Sequence, residues 1–234
     1  MRWILIALLM ITSATVSAQD YDYLIDATAA RYGNDRLVFR AMVQKESRKQ
    51  PWVFNVDGEG FWFQTKDQAV NALWALTSAP WLVKIIPDKN SKAIRRFFPS
   101  ERAAMSFANS YQRSRQAQGF PALLQRMDDA KEVLDGQLRV RKVWLLNTDL
   151  GIAQINYRFH GKGKASVQQW LDPAFNLDYA ARHLTDLKKR YGSDLQAVGY
   201  YHSKTKKYRD IYMKEFMPIY HEERARAGIS IAAK

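Results

Sequence analysis

Apolar residues in the stretch Arg36–Ser47 recur at the spacing that places them on one face of an α-helix. Asn34 can cap the start of this helix. Val38, Met42 and Glu46 are successive i+4 positions, so Glu46 continues the apolar stripe and leaves the polar face. Burial and the negative end of the helix dipole both raise the pKa of such a carboxyl, which suits a general acid near neutral pH. The alternative is a surface glutamate at a fraying helix end.

Two short runs rich in β-branched and aromatic residues follow this helix, within residues 52–63. They flank Asp57-Gly58, a dipeptide typical of a tight hairpin turn. A hairpin placed directly after the candidate acid can form one lip of a cleft. Asn55, Trp62 and Phe63 are therefore candidates for ligand contact. The alternative is that the aromatic side chains pack beneath the hairpin.

The rest of the pattern is mostly helical. Further helices are predicted from Asp20 to Tyr32, Thr65 to Leu76, Ser100 to Gln116, Pro121 to Leu134, Pro173 to Tyr191, Asp194 to Ser203 and Tyr208 to Tyr220. The last helix is expected to bend or end near Pro218. Alternation from Leu138 to Leu146 indicates a short strand pair. No internal repeat or low-complexity linker is present, so residues 78–146 are expected to be an insertion in a single domain spanning residues 19–234.

The first residues have the form of a secretory signal peptide. Arg2 precedes nine consecutive apolar residues, and Val16-Ser17-Ala18 offers a small-residue cleavage pattern before Gln19. The apolar run is too short for a permanent membrane span, which needs about 20 residues. The chain has no cysteine, hence no lipid attachment site at the cleavage point and no disulfide framework. We therefore expect residues 1–18 to be removed and the protein to be exported, periplasmic or secreted, without a stable membrane anchor.

The formal net charge of +13 indicates affinity for polyanions. An exported chain meets the cell wall and membrane surfaces, so we expect no nucleic-acid partner, although a basic surface kept for solubility explains the charge equally well. Other chemistries find little support. His202-Ser203 lacks the Gly-x-Ser-x-Gly elbow of a serine hydrolase, and the histidines lack the spacing of a metal site.

A second informative stretch is Asn147–Asn156, NTDLGIAQIN. Gly151 lets the backbone approach a neighbouring group closely. The amides of Gln154 and Asn156 both donate and accept hydrogen bonds, which suits the hydroxyl and acetamide groups of a sugar. On this chemistry alone the stretch is a loop with two polar residues.

Taken together, the chain resembles the lytic transglycosylases of the soluble-transglycosylase (SLT) type, a family with the lysozyme-like fold. The motifs that carry the resemblance occur in the family's order: Glu46-Ser47, Gly151-Ile152-Ala153-Gln154-Ile155-Asn156, Asn176-Leu177 through Leu184, and Tyr200-Tyr201-His202-Ser203. Asn55-Val56-Asp57-Gly58, the Gln-Ile-Asn loop and the Tyr-His-Ser ending are most similar to the specialised members of conjugation, pilus and secretion machinery.

The resemblance implies a one-carboxylate mechanism without metal or cofactor. Glu46 would protonate the oxygen between N-acetylmuramic acid and N-acetylglucosamine. It would then act as base on the C6 hydroxyl, which closes onto C1 and leaves a 1,6-anhydro end. Ser47 and Gln154 would orient the acetamide groups and the acid, Tyr201 would help position Glu46, and Asn156 would act behind them.

Three features depart from the family pattern. The connection from Glu46-Ser47 to Gly151 is much longer than in typical members. His202 stands where many members have Asn. Tyr201 aligns best with the family tyrosine close to the acid, although Tyr200 is one residue away and can take its place.

The sequence therefore predicts a mainly α-helical, lysozyme-like fold of the goose or SLT type, with a small β-hairpin and a long helical insertion. The expected partners are peptidoglycan strands and proteins of a secretion, conjugation or pilus apparatus. Two alternatives remain open. One is a goose-type lysozyme-like hydrolase with the same acid, and the other is a non-catalytic wall-binding assembly factor.

Overall fold

The computed structural model of the chain describes residues 21–126 and 132–229. The predicted signal peptide and the predicted cap Asp20 lie outside the described residues. More than half of the described residues are helical, and their strands form two small sheets, so the architecture is mixed with a helical majority. None of the described helices is long and apolar enough to cross a membrane.

Most of the described helices pack around the main apolar core, and one packs on a second, smaller apolar cluster. They are α1 (Asp22–Tyr32), α2 (Arg36–Ser47), α3 (Lys66–Ser78), α4 (Glu101–Ala117), α5 (Val167–Trp170), α6 (Pro173–Tyr191), α7 (Asp194–His202) and α8 (Lys206–Arg226), with a π-helix at Tyr157–Gly161. The strands are β1 (Val53–Val56), β2 (Glu59–Trp62), β3 (Trp81–Ile86), β4 (Ile94–Phe98), β5 (Leu124–Arg126), β6 (Gln137–Lys142), β7 (Thr148–Leu150) and β8 (Ile155–Asn156).

Helix α2 lies at the centre of the helical part. The apolar stripe that the sequence predicted is buried, with Val38 and Met42 in the core against α1, α7 and α8. The cap differs from the prediction, because the Asp35 carboxylate accepts the first free amides of the helix. Asn34 is buried instead, and its side-chain amide donates to the Ala181 carbonyl of α6 at 3.0 Å.

Two other helix ends also differ from the prediction. Ser193 caps α7, and Asp194 is the first helical residue. Helix α8 continues through Pro218 to Arg226, contrary to the expected bend or end. Buried side chains lie on both sides of the proline, Phe216 before it and Glu223 after it, so packing holds both halves in one helix.

The predicted hairpin is present and forms part of a larger sheet. Asp57 and Gly58 both have positive φ, as a tight turn of the I′ type requires. The first sheet has the strand order β2-β1-β7-β8, in which all neighbours are antiparallel. The loop predicted around Gly151 thus begins and ends in short strands, and the hairpin is paired directly with it.

The prediction of a long helical insertion is wrong. Within the described part of residues 78–146, one helix, α4, packs on a four-stranded sheet of order β4-β3-β6-β5. The helix predicted from Pro121 to Leu134 is also not found there. Its described residues include the strand β5, and residues 127–131 lie outside the description. Ser100 does cap α4 as predicted.

Strand β3 explains why the pattern of the insertion was misleading. Val83 and Ile85 pack toward α4, while Leu82 on the opposite face belongs to the main core. A strand buried on both faces has no apolar–polar alternation, so its sequence does not distinguish it from a buried helical turn.

A buried ionic cluster attaches the second sheet to the hairpin. Arg141 donates to the Asp57 carboxylate at 2.6 Å and to the Glu59 carboxylate at 3.2 Å. Lys84 lies 3.1 Å from both Glu59 oxygens, and Arg95 donates to the Gly60 carbonyl. Asp57 and Glu59, the first two carboxylates after the candidate acid in the sequence, therefore hold the insertion.

Candidate functional site

Glu46 lies in the last turn of α2 and lines a cleft with a volume of about 450 Å³. The hydroxyl of Tyr212, on α8, donates to its Oε1 at 2.6 Å. Desolvation raises the pKa of Glu46 from 4.5 to about 7. The Tyr212 hydrogen bond opposes this rise, the charge of Asp149 adds to it and Lys45 opposes it. At neutral pH the Glu46 carboxyl is therefore present in both its protonated and its ionised form.

Two neutral tyrosines lie near the carboxyl: Tyr212 donates to it, and Tyr201 donates to the Ala153 carbonyl. Burial raises the pKa of Tyr212 and of Tyr201 well above 10, and the negative charge of Glu46 raises both further. His202 stacks on Tyr212 with ring centres 4.3 Å apart. Burial, followed by the charge of Lys45, lowers the pKa of His202 from 6.5, so the imidazole is neutral at pH 7.

The floor of the cleft is a row of polar side chains across the first sheet. The register pairs Gly60 with Asn55, Asn55 with Asp149, and Asp149 with Asn156, so these positions share one face. Asn55, Asp149 and Asn156 all line the cleft together with Glu46. Asn156 donates to Asp149 Oδ1 at 2.8 Å. The row thus places two side-chain amides and one carboxylate along a line of neighbouring strands.

The loop from Gly151 to Gln154 forms the wall next to Glu46. Gly151 has a φ of +73°, and a Cβ there would lie 2.5 Å from the Trp170 carbonyl oxygen and 2.6 Å from Asn176 Nδ2. Fully buried Asn176 accepts from the Ala153 amide and donates to the Leu150 and Trp170 carbonyls. Glycine at position 151 is therefore required both by φ and by space.

Gln154 has a φ of +49°, an unusual conformation for a residue with a side chain. Its amide donates to the Gly151 carbonyl at 2.8 Å and lines the cleft. Strained backbone held by surrounding hydrogen bonds is typical of ligand sites. The loop thus holds the side-chain amide of Gln154, a predicted substrate-binding residue, beside Glu46.

Five of the seven predicted site residues meet at the cleft: Glu46, Asn55, Gln154, Asn156 and Tyr201. The other two do not line it. Ser47 is buried, and its hydroxyl donates to the Ile152 carbonyl at 2.6 Å. Tyr200 points to the other side of α7, where its ring stacks on Tyr191 and contacts Arg209.

Tyr201 also has a structural partner. Its hydroxyl donates to the Ala153 carbonyl at 2.7 Å, which ties α7 to the loop, whereas the hydroxyl bonded to Glu46 belongs to Tyr212. Of the aromatic residues considered for ligand contact, Trp62 is exposed and Phe63 packs on Phe54 beneath the hairpin.

Several residues at or next to the cleft were not predicted from the sequence. Tyr212 lies within the range predicted for the last helix, Tyr208 to Tyr220, but nothing local marks it as a partner of Glu46. Asp149 stands two residues before Gly151, and only the strand register places it on the cleft face. His160 and His183 also line the cleft, with ring centres 4.7 Å apart.

The two histidines are neutral at pH 7. Burial, followed by the charge of its histidine neighbour, lowers the pKa of His160 to about 4. Burial also lowers the pKa of His183, and nearby Asp186 partly offsets this effect. His160 Nδ1 lies 3.2 Å from the hydroxyl of Tyr179. The neutral imidazoles of His160 and His183 can donate and accept hydrogen bonds in the cleft without adding charge.

Within residues 21–126 and 132–229, no three His, Asp or Glu side chains are arranged to hold a metal ion. Comparisons of the chain with protein-family models, with curated proteins and with solved structures find no match.

Proposed function

We propose that this protein is a peptidoglycan lytic transglycosylase with a lysozyme-like fold of the SLT type. The observation that carries the proposal is the Glu46 carboxyl, which faces a cleft lined by amides and has a pKa of about 7. A general acid works best when its pKa is near the operating pH. Few glutamates in a folded chain meet this condition together with access to a ligand.

The reaction needs Glu46 in two protonation states. The neutral carboxyl donates its proton to the glycosidic oxygen between N-acetylmuramic acid and N-acetylglucosamine, and the C1–O bond breaks. The resulting carboxylate accepts the proton of the C6 hydroxyl as its oxygen bonds to C1, which yields a 1,6-anhydro end and restores the acid. Tyr212 holds Oε1 throughout and donates to both forms.

The polar row accounts for binding of a glycan. Sugar hydroxyl and acetamide groups need donors and acceptors at intervals along an extended chain. Asn55 and Asn156 place side-chain amides on strands that lie about 4.8 Å apart per step across the sheet, and Asn156 is held there by its bonds to Asn147 and Asp149. Gln154 adds an amide beside the acid.

The cellular role proposed is local opening of the wall for a secretion, conjugation or pilus system. It rests on the sequence resemblance of Asn55-Val56-Asp57-Gly58 and the Gln-Ile-Asn loop to such members. The net charge of +13 favours attraction to an anionic wall polymer.

Asp149 favours a second candidate function. It lies in the same cleft as Glu46, and its charge raises the pKa of the acid. A second carboxylate can activate water on the opposite face of the sugar, as inverting glycosidases require. The protein would then be a goose-type lysozyme-like hydrolase with Glu46 as acid and Asp149 as base.

Mass spectrometry of the products released from purified peptidoglycan distinguishes these functions. A transglycosylase yields anhydro-muramyl ends that disappear in the Glu46→Gln variant and persist in Asp149→Asn. A hydrolase yields reducing ends that require both residues. Release of no product by the unmodified protein would contradict both and favour the wall-binding assembly factor.

A further inference from the structure

Three exposed side chains form a cluster at the rim of the cleft. The guanidinium carbon of Arg158 lies 4.5 Å from the ring centre of Trp144 and 5.1 Å from that of Phe159. Trp144 is 46% exposed and Phe159 is 68% exposed. We call these three residues the Arg158 cluster. Contact with two rings restricts the long arginine side chain to few conformations, although both rings face solvent.

The guanidinium of Arg158 has no anionic partner among residues 21–126 and 132–229, and no hydrogen bond from it to a described residue is found. Arginines elsewhere behave differently. Arg40 pairs with the carboxylates of α1, and Arg141 pairs with those of the hairpin turn. The rings therefore orient Arg158 while its N–H donors stay open to solvent.

The cluster is fixed to the cleft by a short π-helix. This segment begins directly after Asn156, the last residue of the polar row, and its members Phe159 and His160 line the cleft. Buried Gly161 closes it against Trp170, whose indole nitrogen donates to the Gly161 carbonyl. Single π-turns often occur at functional sites, because they turn a side chain out of the regular helical direction.

The segment that carries Arg158 and Phe159 is basic. Residues 157–171 carry Arg158, Lys162 and Lys164 and contain no aspartate or glutamate. A planar guanidinium with open donors is the side chain that best matches a carboxylate, which it can bind through two parallel hydrogen bonds. Exposed aromatic rings beside it can cover the apolar part of the same ligand.

We propose that the Arg158 cluster binds a carboxylate of the stem peptide carried by the glycan strand in the cleft. This inference rests on the proposed function, since it takes peptidoglycan as the occupant. The glycan backbone is neutral, so a guanidinium oriented at the rim has no anionic partner on the sugars themselves. The peptides project from the strand and supply carboxylates outside the groove. Arg158 thus selects strands with acidic peptides.

Binding to soluble peptidoglycan strands tests the assignment without depending on cleavage. The Glu46→Gln protein is titrated with strands that carry native stem peptides and with the same strands after amidation of the peptide carboxylates. We expect the native strands to bind about tenfold more tightly than the amidated ones, which is the contribution of about one charge-assisted hydrogen bond. Adding Arg158→Gln should reduce this preference to less than about twofold.

Arg96→Gln is the matched control, because it removes one exposed positive charge from β4, outside the cleft lining. It should retain the preference for native strands. Equal loss in both variants would assign the effect to general charge and overturn the proposal, as would equal binding of native and amidated strands. Binding of neither strand by any form would also overturn it.

A third ligand separates two sources of the carboxylate. An amidase removes the peptides and leaves the lactyl carboxylate of muramic acid on the strand. The stem-peptide assignment predicts that Arg158→Gln binds these stripped strands as well as the protein with Arg158 does. Weaker binding of the variant to stripped strands would identify the lactyl group as the anion and contradict the assignment. Failure of cleavage by the unmodified protein, measured separately, would count against the proposed function.

Discussion

Two conservative substitutions are expected to move the pKa of Glu46 in opposite directions. Tyr212→Phe removes the hydroxyl that donates to Oε1, so the ionised carboxylate loses a stabilising partner and its pKa rises. Asp149→Asn removes a negative charge that disfavours ionisation, so the pKa falls. Both changes keep the size of the side chain almost constant.

The magnitude follows from the difference between the two protonation states. A hydrogen bond to a charged group contributes about 1.5–3 kcal/mol, and one between neutral groups about 1 kcal/mol. The protonated carboxyl still accepts from Tyr212, so the substitution favours protonation by about 0.5–2 kcal/mol. At about 1.4 kcal/mol per unit, the pKa of Glu46 should rise by about one unit. The fall caused by Asp149→Asn should be smaller, since its charge has the weaker effect.

The assay is the pH dependence of kcat/KM for release of products from peptidoglycan between pH 4 and 9. A general acid is active when protonated, so the unmodified protein should lose activity as the pH rises through about 7. This alkaline limb should move up in Tyr212→Phe and down in Asp149→Asn. Tyr200→Phe is the control, because Tyr200 lies away from the cleft. A limb that moves the same way in both variants, or shifts equally in the control, would refute the assignment of Glu46 as the titrating acid.

Three further outcomes are expected. Glu46→Gln should be more stable than the unmodified protein by about 3 kcal/mol at pH 8 but equally stable below pH 4.5, measured by urea unfolding. The folded pKa of about 7 exceeds the unfolded value, and so stability falls as pH rises through that window. Gly151→Ala should lower the free energy of unfolding by about 2–4 kcal/mol, because its Cβ meets Trp170 and Asn176. Arg141→Met should cost about 3–5 kcal/mol, since it removes the buried guanidinium that pairs with the Asp57 and Glu59 carboxylates.

Local patterns in the sequence were sufficient to predict the parts of the site that depend on a single helix or a single turn. The i+4 spacing of Val38, Met42 and Glu46 oriented the acid, because a helix fixes which residues share a face. Asp57-Gly58 predicted the hairpin turn, because few dipeptides tolerate two consecutive positive φ angles.

Contacts between helices and strands that are distant in the sequence could not be predicted from local patterns. Tyr212 follows Glu46 by 166 positions, and its hydrogen bond depends on how α8 crosses α2. Asp149 faces the cleft because of the register between β1 and β7, where a slip of one residue would turn it to the other face. A three-residue strand contains too little pattern to fix that register.

The structure also explains why the motif residues are of these types. Ser47 from α2, Asn176 from α6 and Tyr201 from α7 each bond to the backbone of the loop at Ile152 or Ala153. Three helices thus hold one short loop, and each needs a side chain that can donate or accept at a fixed distance. Ser47, Asn176 and Tyr201, which lie far apart in the sequence, therefore build the wall beside Glu46 together. Gln154, which the same loop positions, lines the cleft.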